Sequence, residues 1–145
     1  MVKGSWCYGM RTMALGYFIN TDLRLLYIRG QGVVTQRERV HTMLAWLRDP
    51  GYLECVDALF DVSEAQSTPR VAEMRELISI LRQQGPASGP SRLAIVTSKP
   101  IAFGVAEIFG HFLRVKGIPL QVKVFLKPAA AWAWLQPGMP PPDLM

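Results

Sequence analysis

The sequence predicts a single α/β domain built on a five-stranded mixed sheet, with an N-terminal antiparallel hairpin followed by parallel strands and about four flanking helices. Two observations predict the order of elements: adjacent apolar runs separated only by turn-forming residues, and then a regular alternation of short apolar runs with segments of helical period. A third sets the class. At 145 residues, 50% hydrophobic and 19% charged, the chain has the size and composition of one packed globular unit.

The elements follow in order. Residues 1–13 lack any periodicity and are expected to form a disordered extension, with the domain itself spanning 14–136. Ala14 to Ile19 and Leu23 to Ile28 are apolar-rich runs joined by Asn20-Thr21-Asp22, whose side chains bond their own backbone and favour a tight turn. Gly30-Gln31-Gly32 then reads as a bend leading to a helix. Thr35 is its expected cap, with Glu38 three residues on as in a capping box, and Val40, Met43, Leu44 and Leu47 form its apolar stripe. Asp49-Pro50-Gly51 ends it.

Val56 to Val62 reads as a strand, with Ala58 and Phe60 on one face and Leu59 on the other, closed by a polar loop from Ser63 to Thr68. Thr68 is the expected cap of a second helix that has Pro69 in its first turn and a buried stripe of Val71, Met74, Ile78 and Leu81. The stretch from Gln84 to Pro90 is a clear break, and Leu93 to Val96 is a short apolar strand. A third helix, Ile101 to Val115, is apolar on most sides and leaves only a narrow polar stripe of Gly104, Glu107, Gly110, His111 and Arg114. Leu120 to Leu126 alternates as a strand, Pro128 to Leu135 forms a short terminal helix, and residues 137–145 are a Pro-rich tail expected to be disordered.

Charge and cysteine usage narrow the function classes. The net charge of +5 comes from basic residues dispersed between Lys3 and Lys127, with no dense stripe of the kind that tracks a phosphate backbone. We therefore expect no nucleic-acid partner, while anionic small molecules remain compatible with that charge. Cys7 and Cys55 have no CxxC spacing, and with two histidines they make no usual zinc set, so no metal and no cofactor is expected. No stretch reads as a secretory signal or a membrane span, and the expected location is a reducing cytoplasm.

Candidate chemistry is sparse. Gly30-Gln31-Gly32 lacks the remaining elements of a phosphate loop. Glu107 and His111 are four apart on the third helix, which is the spacing of a solvated pair. Asp57 and Asp61 share one side of a strand, with Asp61 set to accept backbone hydrogen bonds just beyond it. Ser67 and Thr68 are candidate phosphorylation sites at the mouth of the second helix. The most suggestive feature is surplus apolar surface. Phe103 faces the polar stripe of the third helix, and with Phe109, Trp132 and Phe60 it makes a candidate ligand-binding set. The same surplus on the third helix makes a homodimer an expectation.

Several stretches, in order and at matching spacing, resemble the SpoIIAA-like family, whose fold is related to STAS anti-sigma-factor antagonists and to the CRAL-TRIO domain. They are Asp22 to Gly30, Gly32-Val33-Val34-Thr35, Asp61-Val62-Ser63, Ala102-Phe103-Gly104, Val124-Phe125 and the closing Ala131 to Leu135. The resemblance implies a hairpin-edged mixed sheet, an apolar cavity between sheet and helices, and no catalysis. The expected function is a non-enzymatic domain that binds a hydrophobic or lipid-like small molecule. The alternative is a STAS-type regulatory module with a protein partner. STAS regulators carry an Asp-Ser pair after the third strand; the corresponding stretch here is Gln66-Ser67-Thr68-Pro69.

Overall fold

The computed structural model describes residues 14–86 and 88–138. Strands β1 (Leu15–Asn20) and β2 (Leu25–Gly32) form the hairpin, followed by helix α1 (Gln36–Arg48), a 3₁₀ turn (Pro50–Glu54), β3 (Asp57–Ala65), α2 (Val71–Gln84), β4 (Arg92–Val96), α3 (Pro100–Val115), β5 (Gln121–Phe125) and α4 (Pro128–Leu135). The sheet order is β1-β2-β3-β4-β5, with β1 antiparallel to β2 and every later pair parallel. The predicted fold class is the observed one. The expected extension over 1–13 and the tail beyond residue 138 lie outside the described residues.

Topology alone decides where the helices go. The strands from β2 to β5 advance in one direction, so three crossovers of the same right hand place α1, α2 and α3 on one face of the sheet. Alternation along the strands divides the apolar residues accordingly. Leu26, Ile28, Ala58, Leu93 and Ile95 pack beneath the three helices with Met43, Trp46, Leu77 and Ala106. Leu25, Tyr27, Leu59, Ala94 and Val96 pack on the other face with Ala131, Trp132 and Leu135 of α4.

The local details explain where expectation and structure part. In the hairpin turn, Asn20 Oδ1 accepts from the Leu23 amide (3.1 Å) and Arg24 takes a left-handed conformation (φ 53°). Gly30-Gln31-Gly32 is not a bend: it continues β2 through a register shift between Arg29 and Gln31, and the positive φ of Gly32 (64°) ends the strand. The capping box forms as expected, with Thr35 Oγ1 accepting from the Glu38 amide (3.2 Å) and Glu38 Oε1 accepting from the Thr35 amide (3.2 Å). The buried stripe of α1 is rotated from the expected one, however: Arg39, Thr42, Met43, Trp46 and Leu47 are buried, while Val40 and Leu44 are half-buried.

β3 runs three residues further than predicted, through Ser63, Glu64 and Ala65, because parallel pairing with β2 past its bulge continues to Gly32 and Ala65. Helix α2 begins later than predicted, with Arg70 rather than Thr68 as its N-cap. The reason is tertiary. Ser67 Oγ accepts from the Val34 amide (2.8 Å) and donates to the Val34 carbonyl (2.9 Å), which pins the segment before α2, and Glu73 Oε1 then accepts from the Arg70 amide (2.9 Å). Val71 is consequently exposed rather than part of the buried stripe. On α3 the residues against the sheet are the small ones, Ala102, Ala106 and Gly110, followed by Leu113. Gly110 does not belong to the polar stripe: it is buried against β5, where a Cβ would stand 3.4 Å from Val122 Cβ, in ordinary contact. Ile101, Ile108 and Val115 point outward instead.

Candidate functional site: an apolar cavity beneath the helical layer

Between the three-helix layer and the sheet lies a cavity of about 160 Å³. Its floor is made by sheet residues that include Leu26, Ile28, Ala58 and Phe60, and its roof by α1 (Met43, Trp46), α2 (Met74, Leu77) and α3 (Ala102, Ala106, Phe109). It runs along the strands. Tyr52, Pro90 and Leu120 line it near the N-terminal ends of β3, β4 and β5, and Val62, Ala65, Ser67 and Thr68 line it at the C-terminal end of β3. Short side chains contribute to the void: Ala102 and Ala106 of α3 and Ala58 and Ala65 of the central strand line it among the larger residues.

The polar groups gather at one end. Arg39, in the second turn of α1, lines the cavity and is 9% exposed. Among the described residues it donates one hydrogen bond, from Nη1 to Gln36 Oε1 (3.2 Å), and it makes a long ion pair with Glu73 Oε1 (3.9 Å). Burial pulls its basicity below the ordinary value for arginine, against the opposing pull of Glu73 and Glu38. Glu73 is held below the usual carboxylate range first by the Arg70 amide it accepts from, and also by the Arg70 guanidinium (3.4 Å). Gln36 Nε2 donates to the Glu73 carbonyl (3.0 Å) and to Glu76 Oε1 (2.7 Å), which ties α1 to α2 beside the arginine. At the other end burial pushes the Tyr52 phenol up to about 12.

The sequence-predicted residues divide between this cavity and elsewhere. Phe60 and Phe109 line it, and Ser67 and Thr68 stand at its end. Ser67 is half-buried with its hydroxyl engaged by Val34, whereas Thr68 is exposed. Phe103 is half-buried on α3 outside the lining, and Trp132, 1% exposed, is on the opposite face of the sheet. The four aromatic residues therefore do not form one site. Arg39, Met43, Trp46 and Tyr52 were not among the expected site residues. Their signal is the i, i+4, i+7 spacing of Arg39, Met43 and Trp46, a stripe one position away from the more hydrophobic one that the sequence offers.

The opposite face holds a second polar set. Asp57, 1% exposed, accepts from Arg92 Nε (3.2 Å) and from Gln136 Nε2 (2.6 Å). Arg92 Nη1 and Nη2 donate to the carbonyls of Trp134 (3.1 Å) and Leu135 (2.7 Å) at the end of α4, where a cation also complements the helix dipole. Asp61 Oδ1 accepts from the Ser63 amide (3.0 Å) and hydroxyl (2.6 Å), the local bonding expected of it. Both aspartates thus have structural work. Glu107 and His111 are exposed on α3 and make no ion pair with each other. Among the described residues, no three His, Cys, Asp or Glu side chains converge as metal ligands, and no helix is long and apolar enough to cross a membrane. No family model matches the chain, and no curated protein matches it significantly.

Proposed function

We propose that this chain is a non-enzymatic domain that binds an apolar or lipid-like small molecule between its sheet and its three-helix layer. The observation that carries the reading is the cavity of about 160 Å³, lined almost wholly by aliphatic and aromatic side chains. A void of that size in a packed interior forfeits dispersion contacts and is disfavoured by water, because apolar walls give a water molecule no partners. An apolar ligand restores both. The SpoIIAA-like resemblance of the sequence, with its implied cavity in the same layer, supports the same reading.

Native mass spectrometry of freshly purified protein, paired with solvent extraction, tests it. The expected result is a discrete added mass of small-molecule size, or a rise in Tm with medium-chain alcohols or acids, either of which Ala58→Leu abolishes by filling the cavity. An unliganded mass together with an unchanged Tm across such a series would overturn the reading.

A further inference from the structure

The cavity is apolar except where Arg39 enters it, and that exception defines a ligand class. A guanidinium presents five N–H donors and stays charged at ordinary pH, and Arg39 is the one charged residue that lines the cavity. Among the described residues Arg39 makes one hydrogen bond, to the neutral Gln36, and a long ion pair with Glu73 (3.9 Å). The two carboxylates that act on its charge also accept from local amides. Glu73 accepts from the Arg70 amide, and Glu38 accepts from the amides of Thr35 and Ala14. Glu73 faces two guanidiniums, Arg39 and the exposed Arg70, so a bound carboxylate would compete with it for Arg39. One turn along the same buried stripe, the Thr42 hydroxyl is enclosed without a hydrogen-bond partner.

The fold reinforces this polarity. Each crossover helix starts where a strand ends, so α1, α2 and α3 all direct their N-termini, and the positive ends of their dipoles, toward the strand C-terminal edge. Arg39, Ser67 and Thr68 line the cavity at that edge, while Tyr52, Pro90 and Leu120 line its distant end.

We infer that the ligand is a single-chain anionic amphiphile whose carboxylate pairs with Arg39 at the strand C-terminal edge and whose alkyl chain lies along the sheet toward Tyr52. Volume limits the chain. An apolar cavity of roughly 150 Å³ holds about six carbon atoms, so a medium-chain carboxylate of about six to eight carbons fits and a long-chain one does not without expansion. The inference rests on the binding reading above and adds to it a charge, a head-to-tail direction and a length.

Titration calorimetry with octanoate and with 1-octanol, which share a chain and differ in head charge, tests it. A charge-assisted bidentate pair is worth about a tenfold preference, so octanoate is expected to bind about ten times more tightly than 1-octanol to the parent protein. Arg39→Gln is expected to erase that preference while leaving 1-octanol affinity within about twofold. Glu73→Gln, which leaves the arginine in place and removes its competing carboxylate, is expected to tighten octanoate severalfold, and it carries the test if Arg39→Gln does not fold. Equal binding of the two ligands by the parent, or a preference that survives Arg39→Gln, would sink the headgroup assignment and leave the cavity-binding reading standing. Failure of both ligands to bind would remove the two together.

Discussion

The two faces of one sheet are covered in different ways. On one face three helices of 13, 14 and 16 residues span the sheet and still leave a cavity of about 160 Å³. On the other a helix of eight residues packs Ala131, Trp132 and Leu135 against Leu25, Tyr27, Leu59, Ala94 and Val96, and Arg92, Asp57 and Gln136 tie its end to the strands. Coverage and packing are therefore separate quantities. The small helix buries a large indole and satisfies its own terminus, whereas the larger layer leaves a gap where Ala102 and Ala106 of α3 and Ala58 of the central strand are among its walls. The α4 face is packed shut, and the three-helix face keeps room.

The largest expected effect tests the closed face. Trp132→Ala should cost about 3–5 kcal/mol by urea denaturation, the range for deleting a buried aromatic. A value near 1 kcal/mol would mean that the face is loosely packed after all. Next, Arg92→Met should cost about 2–3 kcal/mol, somewhat below the range for breaking a fully buried pair because the arginine is partly exposed, since Asp57 would keep only Gln136 as partner. An unchanged midpoint would show that the polar tie contributes nothing to holding α4.

Each face also carries a buried tyrosine, Tyr52 on one and Tyr27 on the other, whose phenol is pushed up to about 12, first by burial and, for Tyr27, also by Asp61. A phenol whose pKa is raised on folding contributes stability that is intact below pH 10 and is lost as pH climbs through 10 toward 12, because the unfolded chain ionises first. By pH 11 the loss should be about 1 kcal/mol per tyrosine, read as the difference between the parent and each Tyr→Phe variant. A saturating cavity ligand should alter the Tyr52 contribution and leave that of Tyr27 alone; equal changes at both would erase the distinction between the faces. The smallest effect belongs to the open face. Phe109→Ala should cost only about 1 kcal/mol, since a half-buried ring beside a void has fewer partner atoms to lose. A cost as large as that of Trp132→Ala would mean the cavity collapses around the ring.

Much of this architecture was already legible in the residues. The Asn20 turn, the Thr35/Glu38 capping box, Pro128 opening α4 and the alternation of Ala58, Leu59 and Phe60 are set by interactions within a few positions of the chain, and period and capping report such interactions directly. The element order followed, and with it a hairpin-edged sheet whose later strands are parallel. What could not be read there depends on partners distant in sequence. The start of α2 shifted because Ser67 bonds Val34, the extra length of β3 came from pairing beyond a bulge in β2, and the stripe of α1 rotated so that Arg39 rather than Val40 faced inward. The cavity belongs to the same class. No single segment contains it, because a void is the difference between what four elements offer and what they fill. The four candidate aromatics shared hydrophobicity but not a face, and strand parity together with crossover hand sent Phe60 and Phe109 to one side and Trp132 to the other.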